Sequence, residues 1–139
     1  MFRGEETDMA LELAVVEDVM RARAGHAAAR PAAAFRVEVA REPDAMRVCP
    51  VGEIDLATVG RLRARIDEAI AAGTKRLILD LRQVTFLDSA GLHLATDTHN
   101  LAKRTRTELS IVPGPPSVHR TFEVAGLSTQ LPLVDAPRG

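Results

Sequence analysis

From Phe35 onward, stretches whose apolar residues recur every second position alternate with stretches in which they recur every third or fourth, and this alternation limits the fold more than any other feature. FRVEVA, residues 35–40, sets Phe35, Val37 and Val39 against Arg36 and Glu38, the mark of a half-buried strand, and Glu42-Pro43-Asp44 reads as a turn. MRVCPV, residues 46–51, is a second strand, in which Pro50 lacks an N–H and so needs an edge, a bulge or a strand end. Gly52–Asp55 follows as a loop. TVGRLRARIDEAIAAG then places Val59, Leu62, Ile66, Ala69 and Ile70 on one helical face, with Gly73 as the stop. RLILDL, residues 76–81, is almost continuously apolar, as a strand covered on both faces requires.

VTFLDSAGL, residues 84–92, is an apolar run that breaks at Asp88-Ser89, and a second helix runs from Leu92 to about Thr105. ELSIVP is a further strand. PPSVHRTFEVAGL is a third helix with Ser117 as its cap, Val118, Phe122 and Ala125 facing inward and Gly126 at its end, and LPLVD is a last short strand. The order implies an α/β fold: a mixed, mostly parallel sheet of four to five strands, entered through an antiparallel pair and layered with helices. In such sheets functional loops gather at the carboxyl ends of the parallel strands, where residues 52–55 and 85–89 both fall.

Residues 1–30 read differently from the rest. Glu5, Glu6, Asp8, Glu12, Glu17 and Asp18 come first and Arg21, Arg23 and Arg30 last, an order that suits a helix dipole, with Met9, Leu13, Val16 and Met20 at helical spacing. This predicts an amphipathic helical extension whose linker, AGHAAARPAAA, is stopped by Pro31. Residues 31–139 form the single folded domain that the length of 139 residues suggests.

Composition excludes several function classes. Aromatic residues make up 3% of the chain, with no Trp or Tyr, so few rings exist to stack on bases. The 18 basic and 19 acidic residues nearly cancel, which gives no general pull toward nucleic acid or anionic lipid. Cys49 is the only cysteine, so an internal disulfide and a cysteine zinc site are both ruled out, and a reducing cytoplasm fits. The opening MFRGEETDMA has no signal-peptide order and no apolar run approaches the roughly 18 residues of a membrane span, so a soluble cytoplasmic protein without membrane contact is expected. The four histidines have no metal-ligand spacing. Neither G-x-x-x-x-G-K-[ST] nor G-x-G-x-x-G occurs, so no metal, nucleotide or other cofactor is expected.

Ser89 admits three readings: a helix cap, a nucleophile or a phosphorylation switch. Ser and Asp are both favoured caps, and if Asp88 takes that place Ser89 is left free. A nucleophile elbow reads G-x-S-x-G, whereas Leu87 stands two residues before Ser89, and His93 is one turn on with no sign of activating it. A phosphate there adds about −1.5 to −2 of charge at a helix N-terminus, which tolerates it, while any partner packed over the hydroxyl is expelled. Glu53 and Asp55 are caps or partner contacts.

Taken in order, GEIDLATVGRLRARIDEAI, LILDLRQVTFLDSAGLHLA and SVHRTFEVAGL resemble the STAS-domain family, and within it the bacterial anti-sigma factor antagonists, over residues 35 to 135. The D-S-A-G-L element is the most specific of the three matches and G-E-I-D the second. The resemblance implies a small non-enzymatic α/β domain that binds an anti-sigma factor of GHKL-type serine kinase fold and so frees a sigma factor. It implies that the kinase uses ATP to phosphorylate the serine following the Asp, which is Ser89 here, and that a PP2C-type phosphatase reverses this. By position, the partner surface comprises Asp55, Asp88, Ser89, Ala90, Gly91 and Leu92. Ala90 stands where the motif often carries a second serine, which leaves one acceptor in the loop.

The N-terminal helix lies outside the family's core, and packing on the domain, self-association into a homodimer and disorder all stay open for it. The rival reading is a non-switching STAS subunit of a signalling scaffold or a membrane-transporter complex, in which Ser89 only caps. A serine hydrolase is disfavoured because no base, oxyanion loop or G-x-S-x-G accompanies Ser89. Thr85 and Ser117 are weaker phosphoacceptors than Ser89, Thr85 for its place on the strand side and Ser117 for its capping task.

Overall fold

A computed structural model of the chain describes residues 34–134. The amphipathic helix and linker expected within residues 1–30 lie outside the described residues. Eight elements follow one another: β1 (Arg36–Glu42), β2 (Ala45–Ile54), α1 (Val59–Ala71), β3 (Arg76–Asp80), β4 (Val84–Leu87), α2 (Ser89–Arg104), β5 (Glu108–Val112) and α3 (Pro116–Val124). They form a mixed α/β fold on a five-stranded sheet in which β1 pairs antiparallel with β2 and the other pairings are parallel. Among the described residues no helix is long and apolar enough to cross a membrane.

The expected turn is a two-residue hairpin, Glu42 pairing with Ala45 around Pro43 and Asp44. Asp44 sits at φ 61°, which Asp tolerates better than most side chains. β2 is longer than its apolar core suggests. Its first half pairs with β3, Ala45–Val48 against Arg76–Leu79, and its end pairs with β4, Gly52–Ile54 against Val84–Leu87. Residues 52–54, expected in a loop, are therefore strand, because β4 supplies a partner that no local pattern announces. β3 and β4 lie end to end along one side of β2, joined by a three-residue jog, Leu81 to Gln83.

That jog also accommodates Pro50. The Gly52 N–H donates to the Gln83 carbonyl at 3.1 Å, so by the strand's two-residue repeat the Pro50 nitrogen faces the same side. There it meets the gap between the last β3 pair, Val48 with Leu79, and the first β4 pair, Gly52 with Val84. A missing N–H removes no ladder bond at that position.

One continuous core joins the sheet residues Val48, Ile54, Leu77, Leu79, Val84, Leu87 and Ile111 to the helical residues Leu62, Ile66, Leu94, Val118 and Phe122. Ile78 points to the opposite face, where it joins Ala45 and Val112 in a small second cluster, so β3 is buried on both sides as its composition implies. Gly73 and Gly126 end α1 and α3 at φ 84° and 75°, where a Cβ is strained.

Two details of α3 differ from expectation. Ser117 does not cap it: Pro115 is the N-cap, its carbonyl accepting from Val118 and His119 N–H at 2.9 and 3.0 Å, and Ser117 lies exposed inside the first turn. A proline at the first helical position removes one donor that a cap would otherwise satisfy. Ala125 faces solvent, and Leu127 turns back onto the core instead. The last expected strand shrinks to one parallel bridge, Ile111 with Leu133.

The jog is pinned by Asp80, 5% exposed, whose carboxylate accepts from Arg82 N–H at 3.1 Å, Arg82 Nη2 at 2.7 Å and Arg47 Nη1 at 3.1 Å. Burial pushes the Asp80 carboxyl up, but the hydrogen bonds and charge of Arg82, helped by Arg47, outweigh it and hold the group below its ordinary value. A depressed folded value means stability that is fully present above the unfolded value near about 3.9 and is lost as pH falls through the folded one. Asp80→Asn is therefore expected to cost about 1–2 kcal/mol at neutral pH, a modest figure because half-exposed Arg82 is screened by water, and the deficit should shrink in acid. Urea unfolding of both chains at neutral pH and below about pH 3 checks it, and a deficit independent of pH excludes the ion cluster as its source.

Candidate functional site

The site lies where β2 and β4 end side by side. The Asp88 N–H donates to the Ile54 carbonyl at 3.2 Å, which ties the start of α2 to the end of β2. Asp88 itself has extended backbone, φ −104° and ψ −168°, and its Oδ1 accepts from Ala90 N–H at 2.9 Å and Gly91 N–H at 3.4 Å. It is the N-cap, a role that contributes about 1 kcal/mol to a helix start. Of the two adjacent candidates, the one with extended backbone and a carboxylate takes the cap. Ser89 becomes the first helical residue, exposed, with a hydroxyl that makes no hydrogen bond among the described residues.

Gly91 explains why α2 can begin so close to the sheet. A Cβ there would lie 2.6 Å from Leu87 Cγ and 3.1 Å from Ile54 Cγ2, both side chains of buried residues. Ala90 and Leu92 are half-buried at the edge of the same turn, and Asp88 is half-buried beneath it.

Asp55 sits one strand away and below the surface, 1% exposed. Its Oδ1 accepts from Ala57 N–H at 2.9 Å and Thr58 N–H at 3.2 Å, and its own N–H donates to Thr58 Oγ1 at 3.0 Å. The Thr58 hydroxyl in turn donates to the Glu53 carbonyl at 2.7 Å. The turn that leads from the end of β2 to Thr58 is thus locked around Asp55, and the carboxylate serves the turn's geometry from within. Thr58 was not singled out from the sequence, although a hydroxyl three residues after an Asp is the spacing of a side-chain-closed turn.

The structure therefore brings all six predicted site residues to one end of the sheet and sorts them. Ser89 is exposed, Asp88, Ala90 and Leu92 are partly exposed, and Asp55 and Gly91 are buried framework. His93 is exposed one turn after Ser89, and no hydrogen bond joins the two among the described residues. Nor do the described residues hold a group of three or more His, Cys, Asp or Glu able to bind a metal. Cys49 lies far back on β2, where burial above all pushes its thiol up and away from the reactive thiolate. What the site presents is an exposed hydroxyl at the start of a sixteen-residue helix, next to a capping carboxylate.

A family model described as the STAS domain matches residues 36–136. The chain is similar to the anti-sigma F factor antagonist of Paenibacillus polymyxa, 31% identical over 85 residues that cover 60% of this chain and 73% of that one. It is also similar to the anti-sigma-B factor antagonist of Staphylococcus aureus, 32% identical over 76 residues covering 55% and 70%. Among solved structures, the crystal structure of an anti-sigma factor antagonist from Mycobacterium paratuberculosis superposes with a TM-score of 0.69 at 27% identity, covering 78% of this chain and 90% of that one.

Proposed function

The chain belongs to the STAS-domain family, and from that premise we propose that it is an anti-sigma factor antagonist whose docking on an anti-sigma factor kinase is abolished by phosphate on Ser89. The observation that carries this reading is the division of labour at the helix start: Asp88 caps, and Ser89 is left exposed with a hydroxyl that makes no hydrogen bond among the described residues. The names of the relatives support the general role, since the curated proteins and the solved structure reported above are all antagonists of anti-sigma factors.

The physics of the switch follows from that geometry. Phosphate adds about −1.5 to −2 of charge, and the positive end of the α2 dipole accepts it without unfolding the domain. A protein seated on Ala90 and Leu92 meets that charge in a contact from which water has been expelled, where it is most costly. The partner is a GHKL-type serine kinase that spends ATP on Ser89, and a PP2C-type phosphatase restores binding. In this reading the chain is a regulatory binding protein in the cytoplasm that performs no catalysis and carries no cofactor. Residues 31–139 are the binding unit and residues 1–30 an extension, for which a homodimer contact is one role.

The test is incubation of wild-type and Ser89→Ala protein with ATP and each co-encoded GHKL-type kinase, read by site-resolved mass spectrometry. Phosphate is expected on Ser89 alone and absent from the variant. Phosphate on another residue, or on none with every kinase, overturns the switch and leaves a constitutive binding module.

A further inference from the structure

Phe86 is the most exposed large apolar side chain of the described strands, 47% exposed where Phe35 and Phe122 are 4% and 0%. Its exposure is a consequence of register. Val84 and Leu87 are both buried although three residues apart, so a strand of period two needs one extra residue between them. The pairing with β2 contains that step, passing from Gly52 with Val84 directly to Glu53 with Phe86, so that Thr85 is the bulged residue. Leu87 pairs with Ile54 and faces the core, which sends Phe86, opposite Glu53, to the other face. Bulges recur beside functional sites because they re-aim a side chain, and this one takes a phenyl ring out of the core and leaves it half in water.

The ring is also held in a fixed relation to Ser89. Only Leu87 and Asp88 separate them, one buried and the other bonded through its N–H to Ile54. Three residues of chain reach at most about 10 Å, so the ring and Ser89 fall within the span of a single protein interface of ordinary size. Aromatic side chains are enriched among the few residues that carry most of the binding energy of an interface. We infer that Phe86 is the apolar anchor of the docking surface: it fills an apolar pocket on the anti-sigma factor kinase and thereby brings that partner over Ser89. This rests on the reading of Ser89 given above and adds to it the source of the affinity that phosphate must overcome.

The experiment is calorimetric titration of wild-type, Phe86→Ala, Phe86→Leu and Ser89→Asp chains with the purified co-encoded GHKL-type kinase, alongside circular dichroism and sedimentation of each chain alone. Phe86→Ala is expected to bind at least tenfold more weakly and Phe86→Leu to lose less, with unchanged spectra because the ring is outside the core. Should the alanine variant fail to fold, Phe86→Gln, closer in length and well solvated, carries the same test. Wild-type binding that Ser89→Asp abolishes and Phe86→Ala leaves intact overturns the anchor alone. A wild-type dimer dissolved by Phe86→Ala also overturns it, by assigning the ring to a second copy. No wild-type binding to any candidate kinase overturns the anchor and the switch together.

Discussion

Ser89→Asp is expected to weaken binding to the anti-sigma factor kinase at least about a hundredfold, and Ser89→Ala to leave it nearly unchanged. A hundredfold is about 2.7 kcal/mol, within reach of one uncompensated charge placed against a packed protein contact. The alanine variant removes a hydroxyl that makes no hydrogen bond among the described residues, so it loses little in the free protein. The asymmetry separates a switch from a structural serine. An acidic group at the first helical position interacts favourably with the dipole by about 0.3–1 kcal/mol, so Ser89→Asp should unfold at the same temperature as wild type or slightly higher. Lost binding with retained stability assigns the effect to the surface. Equal binding by both variants sinks the switch.

Gly91→Val is the second large effect, and it falls on stability. The added Cβ lies 2.6 Å from Leu87 Cγ and 3.0 Å from its Cδ1, and the branched methyls crowd a site already closed by Ile54 Cγ2 at 3.1 Å. Leu87 and Ile54 are 4% and 1% exposed, so neither side chain can swing into water to make room. Overpacking of this kind costs about 1–3 kcal/mol or more, and valine's stiffness at χ1 places it at the upper end. Gly91→Ala should cost less, because replacing glycine within a helix returns about 1 kcal/mol of propensity. Urea unfolding of the three chains measures the series. A valine variant within about 0.5 kcal/mol of wild type would mean that α2 can lift from the sheet and that its close approach does not depend on Gly91.

The order of elements was readable because each buries one face against the same core. The two-residue repeat at Phe35, Val37 and Val39 and the helical repeat at Leu62, Ile66, Ala69 and Ile70 are direct consequences of that burial. The break at Asp88-Ser89 was equally visible, since two favoured capping residues directly after an apolar run mark a helix start. Which of the two residues caps was not. Both have the chemistry, and the choice went to Asp88 because its N–H is engaged by Ile54, a contact between residues far apart in sequence. The same cause hid the strand character of Gly52–Ile54 and the exposure of Phe86, which depend on the register of β4 against β2.

For Ser117 the local chemistry was present but unnecessary, because Pro116 had already removed a donor at the helix start. Asp55 read from the sequence as either a cap or a partner contact, and its placement beneath Ala57 and Thr58 shows that a polar residue in a loop can serve as that loop's internal clasp. The sequence by itself determined the fold class, the order of its elements and the place of the candidate site, because period and motif are properties of neighbouring residues. Only the tertiary structure decided which side chains at that place face outward: outward and inward are set by strand register, a bulge of one residue and the close approach of Gly91, all of them relations between segments that the chain keeps apart.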